Sequence, residues 1–166
     1  HADCDGYCAA MALEKAILPL IKEHHSSDKA TYIYYRRCPS KLPYWDYVDV
    51  TKDLSSFLSD QERYHQNPPL IILCDLGDTE ENILAIKKVK IYDTKVIVID
   101  HHYPENENIK KFVDVFINPY SVGFDYSLVT GMLCTEIARM VNKDVKKINF
   151  IPALAGVAMQ DTGASK

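Results

Sequence analysis

Two short apolar runs, each ended by an aspartate, set the frame for what this chain can become. Leu70-Ile-Ile-Leu-Cys74 is followed at once by Asp75, and Lys95-Val-Ile-Val-Ile99 by Asp100. A short continuous apolar run suits a central parallel strand buried on both faces. Both acids then stand at the carboxyl ends of parallel strands, where open α/β sheets place their ligand sites.

The segments around these runs alternate between strand and helix patterns, which predicts α/β layering. From Gly6 to about Lys22, the apolar residues Ala9, Leu13, Ile17 and Leu20 recur at helical spacing. Pro19 is expected to kink that helix near its end. His24 and His25 close it, where a cation favours the helix dipole. The β-branched and aromatic stretch from Ala30 to Tyr35 predicts a strand, and Leu54 to about Tyr64 a short helix. Asp78 is placed to cap a helix from Thr79 to about Lys90. Phe112 to Ile117 reads as a third strand; Ser127 to Val141 and Ile148 to Met159 read as helices. A strand is expected upstream of His1, and both ends read as cuts in a longer polypeptide.

The 166 residues suffice for one domain with a core, and 47% hydrophobic with 25% charged residues is ordinary for a globular protein. No apolar stretch approaches the roughly 20 residues of a membrane span. The five cysteines are scattered without a CxxC pair, which predicts a reducing, cytoplasmic setting. Cys4 and Cys8 read as a small apolar residue and a helix-face residue rather than as half a zinc site. A net charge of −4 argues against a broad basic surface for nucleic acid. Tyr34, Tyr35, Arg36 and Arg37 read as a strand end with a solvated basic pair. The lysine groups 87, 88, 90 and 143, 146, 147 read as solvated faces.

The chemistry-bearing residues form three clusters. His1, Asp3 and Asp5 alternate along a short extended segment, so their side chains share a direction, and Gly6 frees the backbone where ligands crowd. Asp75 ends one strand run. Asp100-His101-His102 ends the other. Imidazoles mixed with carboxylates suit divalent Mn, Mg, Fe or Zn, with Mn and Mg ahead where carboxylates dominate. Two such ions share an oxygen ligand and together hold both oxygens of a phosphate displacement. Asp75 is the candidate bridge, His101 or His102 the nitrogen donor, and Asp100 the partner that orients a histidine.

These motifs resemble those of the DHH phosphoesterase superfamily, named for Asp-His-His as it stands at 100–102. His-Ala-Asp-Cys-Asp-Gly-Tyr-Cys-Ala-Ala at the start is similar to its first motif, and Leu73-Cys-Asp-Leu-Gly77 to its second. Ile117 to Gly123, Thr130 to Met140 and Ile151 to Ala158 are similar to archaeal RecJ-like proteins, a group that includes the GINS-associated nuclease. The resemblance implies a doubly wound, mostly parallel sheet flanked by helices, one catalytic domain over residues 1–166, and a C-terminal substrate-binding domain that this chain lacks. It implies two metal ions, Mn first and Mg second. His1, Asp3 and Asp75 would hold one; Asp5, Asp75, His101 and a fourth-motif acid the other. His102 would contact the scissile phosphate and Asp100 orient the histidines. Two registers compete for the fourth motif: one makes Asp161, before Thr162, the ligand, and the other puts Met159 at that position. Gly123, Ser127 and Thr130 are expected near the phosphate by the same analogy.

The leading expectation is a Mn-dependent phosphodiesterase, a RecJ-like exonuclease on single-stranded nucleic acid in replication or repair, with a GINS-like replisome partner and no membrane. A hydrolase of small phosphates (short oligonucleotide, cyclic dinucleotide or pyrophosphate) is the second expectation. A non-catalytic replisome module is the third.

Overall fold

A computed structural model describes residues 1–76, 79–104 and 107–161, without the side chains of 107 and 159–161. It comprises two compact units, one of His1 with residues 40–127 and one of residues 2–39 with 128–166.

The first unit is built around a parallel sheet of β1 (Leu70–Cys74), β2 (Lys95–Ile99) and β3 (Val115–Ile117), in that order. Leu70 pairs with Lys95 and Cys74 with Ile99, so the two apolar runs lie level and their following aspartates emerge together. β2 is the inner strand. Among the described residues β1 is an outer strand with Leu70 exposed, against the expectation of a central one. Helices α3 (Tyr47–Tyr64) and α4 (Glu80–Lys90) flank the sheet. Val50 and Leu54 of α3, Ala85, Ile86 and Val89 of α4, and Leu73, Val96 and Val98 of the strands form one core with Trp45 and Ile109. Each such large apolar side chain contributes about 1.5–3 kcal/mol by leaving water. Buried Asn82 braces the loops: its Oδ1 accepts from the Trp45 N–H (2.6 Å) and its Nδ2 donates to the Leu76 carbonyl (3.1 Å). That second bond fixes the chain one residue past Asp75. Asp78, expected to cap α4, lies outside the described residues; Thr79 occupies the N-cap position.

The second unit is helical. α1 (Cys4–His25) packs against α5 (Thr130–Val141) and α6 (Ile151–Asp161). The Asp3 carboxylate caps α1 by accepting from the Gly6 N–H (2.9 Å), and Ser26 ends it in a left-handed conformation. The helix runs through Pro19 to His25. Its buried face is mostly small: Cys8, Ala9, Ala12 and Ala16 meet a partner surface that includes Cys134, Ala138 and Ala155. Small side chains let helices approach closely and gain dispersion contacts along their length. Residues 30–33 form not a strand but a one-turn helix, α2 (Ala30–Ile33). Local bonds decide it: the Thr31 hydroxyl donates to the Asp28 carbonyl (3.0 Å) and the Tyr34 N–H to the Ala30 carbonyl (2.8 Å). Tyr34 then stacks on His25, and Arg37 pairs with Glu14 at 3.1 Å.

Among the described residues no helix is long and apolar enough to cross a membrane.

Candidate metal centre

The ends of β1 and β2 position the site in the first unit. The Asp75 N–H continues the ladder by donating to the Ile99 carbonyl (3.0 Å), and the Asp100 N–H does the same to Ile117 (3.0 Å). Register therefore delivers both carboxylates to the same sheet edge. Asp75 then turns into a left-handed conformation, φ 60°. Few residues other than glycine tolerate that region, Asp and Asn among them. Backbone strain of this kind clusters at functional sites, and Asp75 shares the conformation with Ser26, His65, Asp93 and Lys147.

Three imidazoles surround Asp75. His101 Nε2 lies 3.5 Å from its Oδ1, His102 Nδ1 3.8 Å from the same oxygen, and His1 Nδ1 4.0 Å from Oδ2. Ligand atoms of Asp75, His101 and His102 fall within 4.8 Å of one another. Asp75 and His101 are buried, while His102 is 46% exposed. His1 is held in place by its backbone nitrogen, which donates to the Cys74 carbonyl (2.9 Å).

Hydrogen bonds outside the cluster orient the rings. A carbonyl only accepts, so His101 Nδ1 donates to Tyr126 O (3.4 Å) and its Nε2 is the nitrogen turned to Asp75. Asp100 Oδ1 lies 2.7 Å from His102 Nδ1 and accepts its hydrogen bond, which leaves Nε2 as the nitrogen that can meet a substrate. Asp100 Oδ2 is buried with no hydrogen-bond partner among the described residues. Asn118, just past β3, donates to the His102 carbonyl (2.9 Å).

The donor set fits a divalent cation. Two ligand atoms bound to one ion at about 2.0–2.2 Å stand roughly 3–4 Å apart, and the separations of His101 and His1 from Asp75 fall in that range. Asp75, His101 and His102 are the residues whose ligand atoms converge so that they could hold one, with His1 facing the second Asp75 oxygen and Asp100 orienting His102.

The remaining expected ligands are placed as follows. Asp3 caps α1. Asp5 is buried in the second unit and accepts from the first two N–H groups of α5, Thr130 through Oδ2 (2.9 Å) and Gly131 through Oδ1 (2.8 Å). Asp161 ends α6; its side chain, that of Met159 and all of Thr162 lie outside the described residues, so the competing fourth-motif registers stay open. Cys8 is a buried helix-face thiol, pushed up to about 12 by burial, then by Cys4 and the nearby Asp5 and Asp3 charges. Sequence reasoning did not single out Asn118 or the Tyr126 carbonyl. The Asn-Pro pair directly after the third strand is the signal that could have found Asn118.

Comparison with known proteins supplies the family. The chain is 47% identical over 163 residues to an uncharacterized protein of Methanocaldococcus jannaschii, a match covering 95% of this chain and 21% of that protein. It thus spans about a fifth of that relative's length. Its fold matches the solved DHH domain of a member of the S1p family of ribosomal proteins, with a TM-score of 0.91 and 40% identity over 96% of this chain and 38% of that one. The family model for the N-terminal domain of the DHH family matches residues 1–159. With Asp100-His101-His102 on the sheet edge beside Asp75, the chain belongs to the DHH family of phosphoesterases.

Proposed function

We propose that the chain hydrolyses phosphodiester bonds of single-stranded nucleic acid in the manner of RecJ-like exonucleases, with two divalent cations, Mn first and Mg second. One observation carries the reading: a buried carboxylate in a left-handed turn, Asp75, with imidazole nitrogens set around it at separations of 3.5–4.0 Å. Divalent cations bound there supply an acidified water and neutralise charge on phosphoryl oxygens.

The protein's own part is positioning. The β1–β2 register aligns Asp75 with Asp100. Tyr126 fixes which nitrogen of His101 faces Asp75, and Asp100 fixes the tautomer of His102. His102, partly exposed, is the group that can meet a phosphoryl oxygen and stabilise charge developing on it. The RecJ-like segments 117–123, 130–140 and 151–158 support nucleic acid as substrate, and a GINS-like partner rests on the same resemblance. A net charge of −4 favours a second reading, a small phosphate substrate.

Turnover by the full-length protein in Mn²⁺ separates these readings. A long single strand of DNA or RNA is expected to be cleaved faster than a dinucleotide or pyrophosphate. Preferential turnover of pyrophosphate or the dinucleotide would replace the first reading with the second. Absence of bound Mn on elemental analysis, with no turnover, would leave a non-catalytic module.

A further inference from the structure

The segment from the histidines to α5 carries large rings that the metal cluster does not use. Tyr103 is 70% exposed, Phe124 61% and Tyr126 66%. Scattered exposed aromatics need no explanation; these differ in that Tyr103 follows a site histidine and Tyr126 is bonded to one through its carbonyl.

This segment is tied to the histidines. Tyr103 follows His102 directly. The Tyr126 carbonyl accepts from His101. Asn118 donates to the His102 carbonyl and, through Oδ1, accepts from the Tyr120 N–H (3.0 Å). The Tyr120 ring meets Tyr103 edge-on, with centroids 5.3 Å apart. Gly123, at φ +83°, reverses the chain so that the Phe124 N–H returns to the Pro119 carbonyl (3.1 Å). Phe124 and Tyr126 therefore follow a braced turn, and Tyr103 is joined to that turn through the Tyr120 ring.

Charge decides what these rings can bind. No Lys or Arg occurs between Lys111 and Arg139. Asp125, in the middle of the segment, is held below the usual carboxylate range by the Ser127 hydroxyl and backbone N–H, so it stays anionic at neutral pH. This stretch of chain supplies no cation of its own to a phosphate chain. Its flat apolar faces suit bases, which stack on aromatic rings whatever their identity.

We propose that Tyr103, Phe124 and Tyr126 form a stacking platform for the nucleobases of a single strand whose phosphate is presented to His101 and His102. The proposal rests on the phosphodiester reading above and adds base dependence, which that reading does not require.

Fluorescence anisotropy of full-length protein tests it, with Ca²⁺ replacing Mn²⁺ to suppress cleavage. The probes are a dye-labelled single strand and an abasic strand of the same length and charge. The wild type is expected to bind the base-bearing strand at least about tenfold tighter. Each of Tyr103→Ala, Phe124→Ala and Tyr126→Ala is expected to weaken base-bearing binding about five- to tenfold. Abasic binding should stay unchanged, and Tyr103→Phe should retain affinity. Equal wild-type affinity for the two strands, or equal losses on both in the variants, overturns the platform. So does sedimentation showing a wild-type dimer that the alanine variants dissociate, since the rings would then hold a second copy of the chain. Base preference without Mn-dependent cleavage would remove the phosphodiesterase reading and keep the platform. Cleavage without base preference would do the reverse.

Discussion

Asp5 in the second unit and Asp75 in the first are both 1% exposed, yet their surroundings are opposite in kind. Asp5 accepts from two backbone N–H groups at 2.8 and 2.9 Å. Those groups open α5, whose own N-cap residue, Val129, makes no side-chain capping bond. A carboxylate on α1 thus caps α5, and the helix dipole adds to the attraction. Asp75 instead faces imidazole nitrogens at 3.5–4.0 Å from a left-handed backbone. Burial alone does not separate a structural acid from a ligand. What the two acids face differs: Asp5 meets fixed backbone N–H groups at contact distance, and Asp75 meets imidazole nitrogens at separations that one ion can span.

The mirrored pair Asp75→Asn and Asp5→Asn puts that contrast at risk. Asp75→Asn keeps the shape and tolerates the left-handed turn. It should lower Mn²⁺ affinity by about 100-fold or more in calorimetry, in line with losing a charged ligand, and move the apo melting temperature little. Asp5→Asn places an amide NH2 against a backbone N–H. It should cost about 2–4 kcal/mol, the scale of a buried charge-assisted bond lost with its partner left unsatisfied. The readout is denaturant unfolding. Loss of Mn²⁺ binding with unchanged stability in Asp5→Asn would move Asp5 into the ligand set and dissolve the contrast.

The two acids also differ in how far sequence could describe them. Asp75 and Asp100 were readable because a buried strand announces itself as an apolar run and an abrupt polar end. The observed strands, 70–74 and 95–99, match those runs to the residue. The clamp on Asp5 was not readable, because its partners lie 125 and 126 residues away along the chain. Residues 30–35 misled because strand propensity mostly reports packing against neighbouring strands, and nearby polar groups closed a helical turn instead. α3 starts well before the predicted Leu54, at Tyr47, where exposed Tyr47 and Val48 erase the amphipathic pattern. Asn118 was hidden for a related reason: its bond to the His102 carbonyl joins two loops that only the β2–β3 pairing brings together.

A smaller change sharpens the clamp without touching a charge. A Cβ on Gly131 would stand 2.7 Å from Ala155 Cβ, 2.9 Å from Asp5 Oδ1 and 3.0 Å from Cys8 Cβ. Gly131→Ala should therefore destabilise by about 1–3 kcal/mol through overpacking. An unchanged melting temperature would show that α5 can shift off Asp5 at no cost, which would weaken the clamp reading.

The smallest expected effect comes from a third carboxylate, near the surface of the first unit. Asp114 accepts from Lys90 and from the Val96 N–H (2.8 Å), with Lys95 at 3.3 Å. The Lys90 bond first, then the Val96 N–H, hold it well below the usual carboxylate range. A group whose folded value is depressed stabilises above its unfolded value, near about pH 4, and loses that contribution as pH falls through the folded value. Solvent screening keeps such a pair weak. Asp114→Asn should accordingly lower the melting temperature slightly and by a constant amount above about pH 5. The wild-type advantage should then shrink as pH drops below about 4. Thermal melts of the two proteins at successive acid pH values would show it. A difference that stays flat down to about pH 2 would mean that Asp114 acts through the shape of its hydrogen bonds, as Asp5 does, and not through its charge.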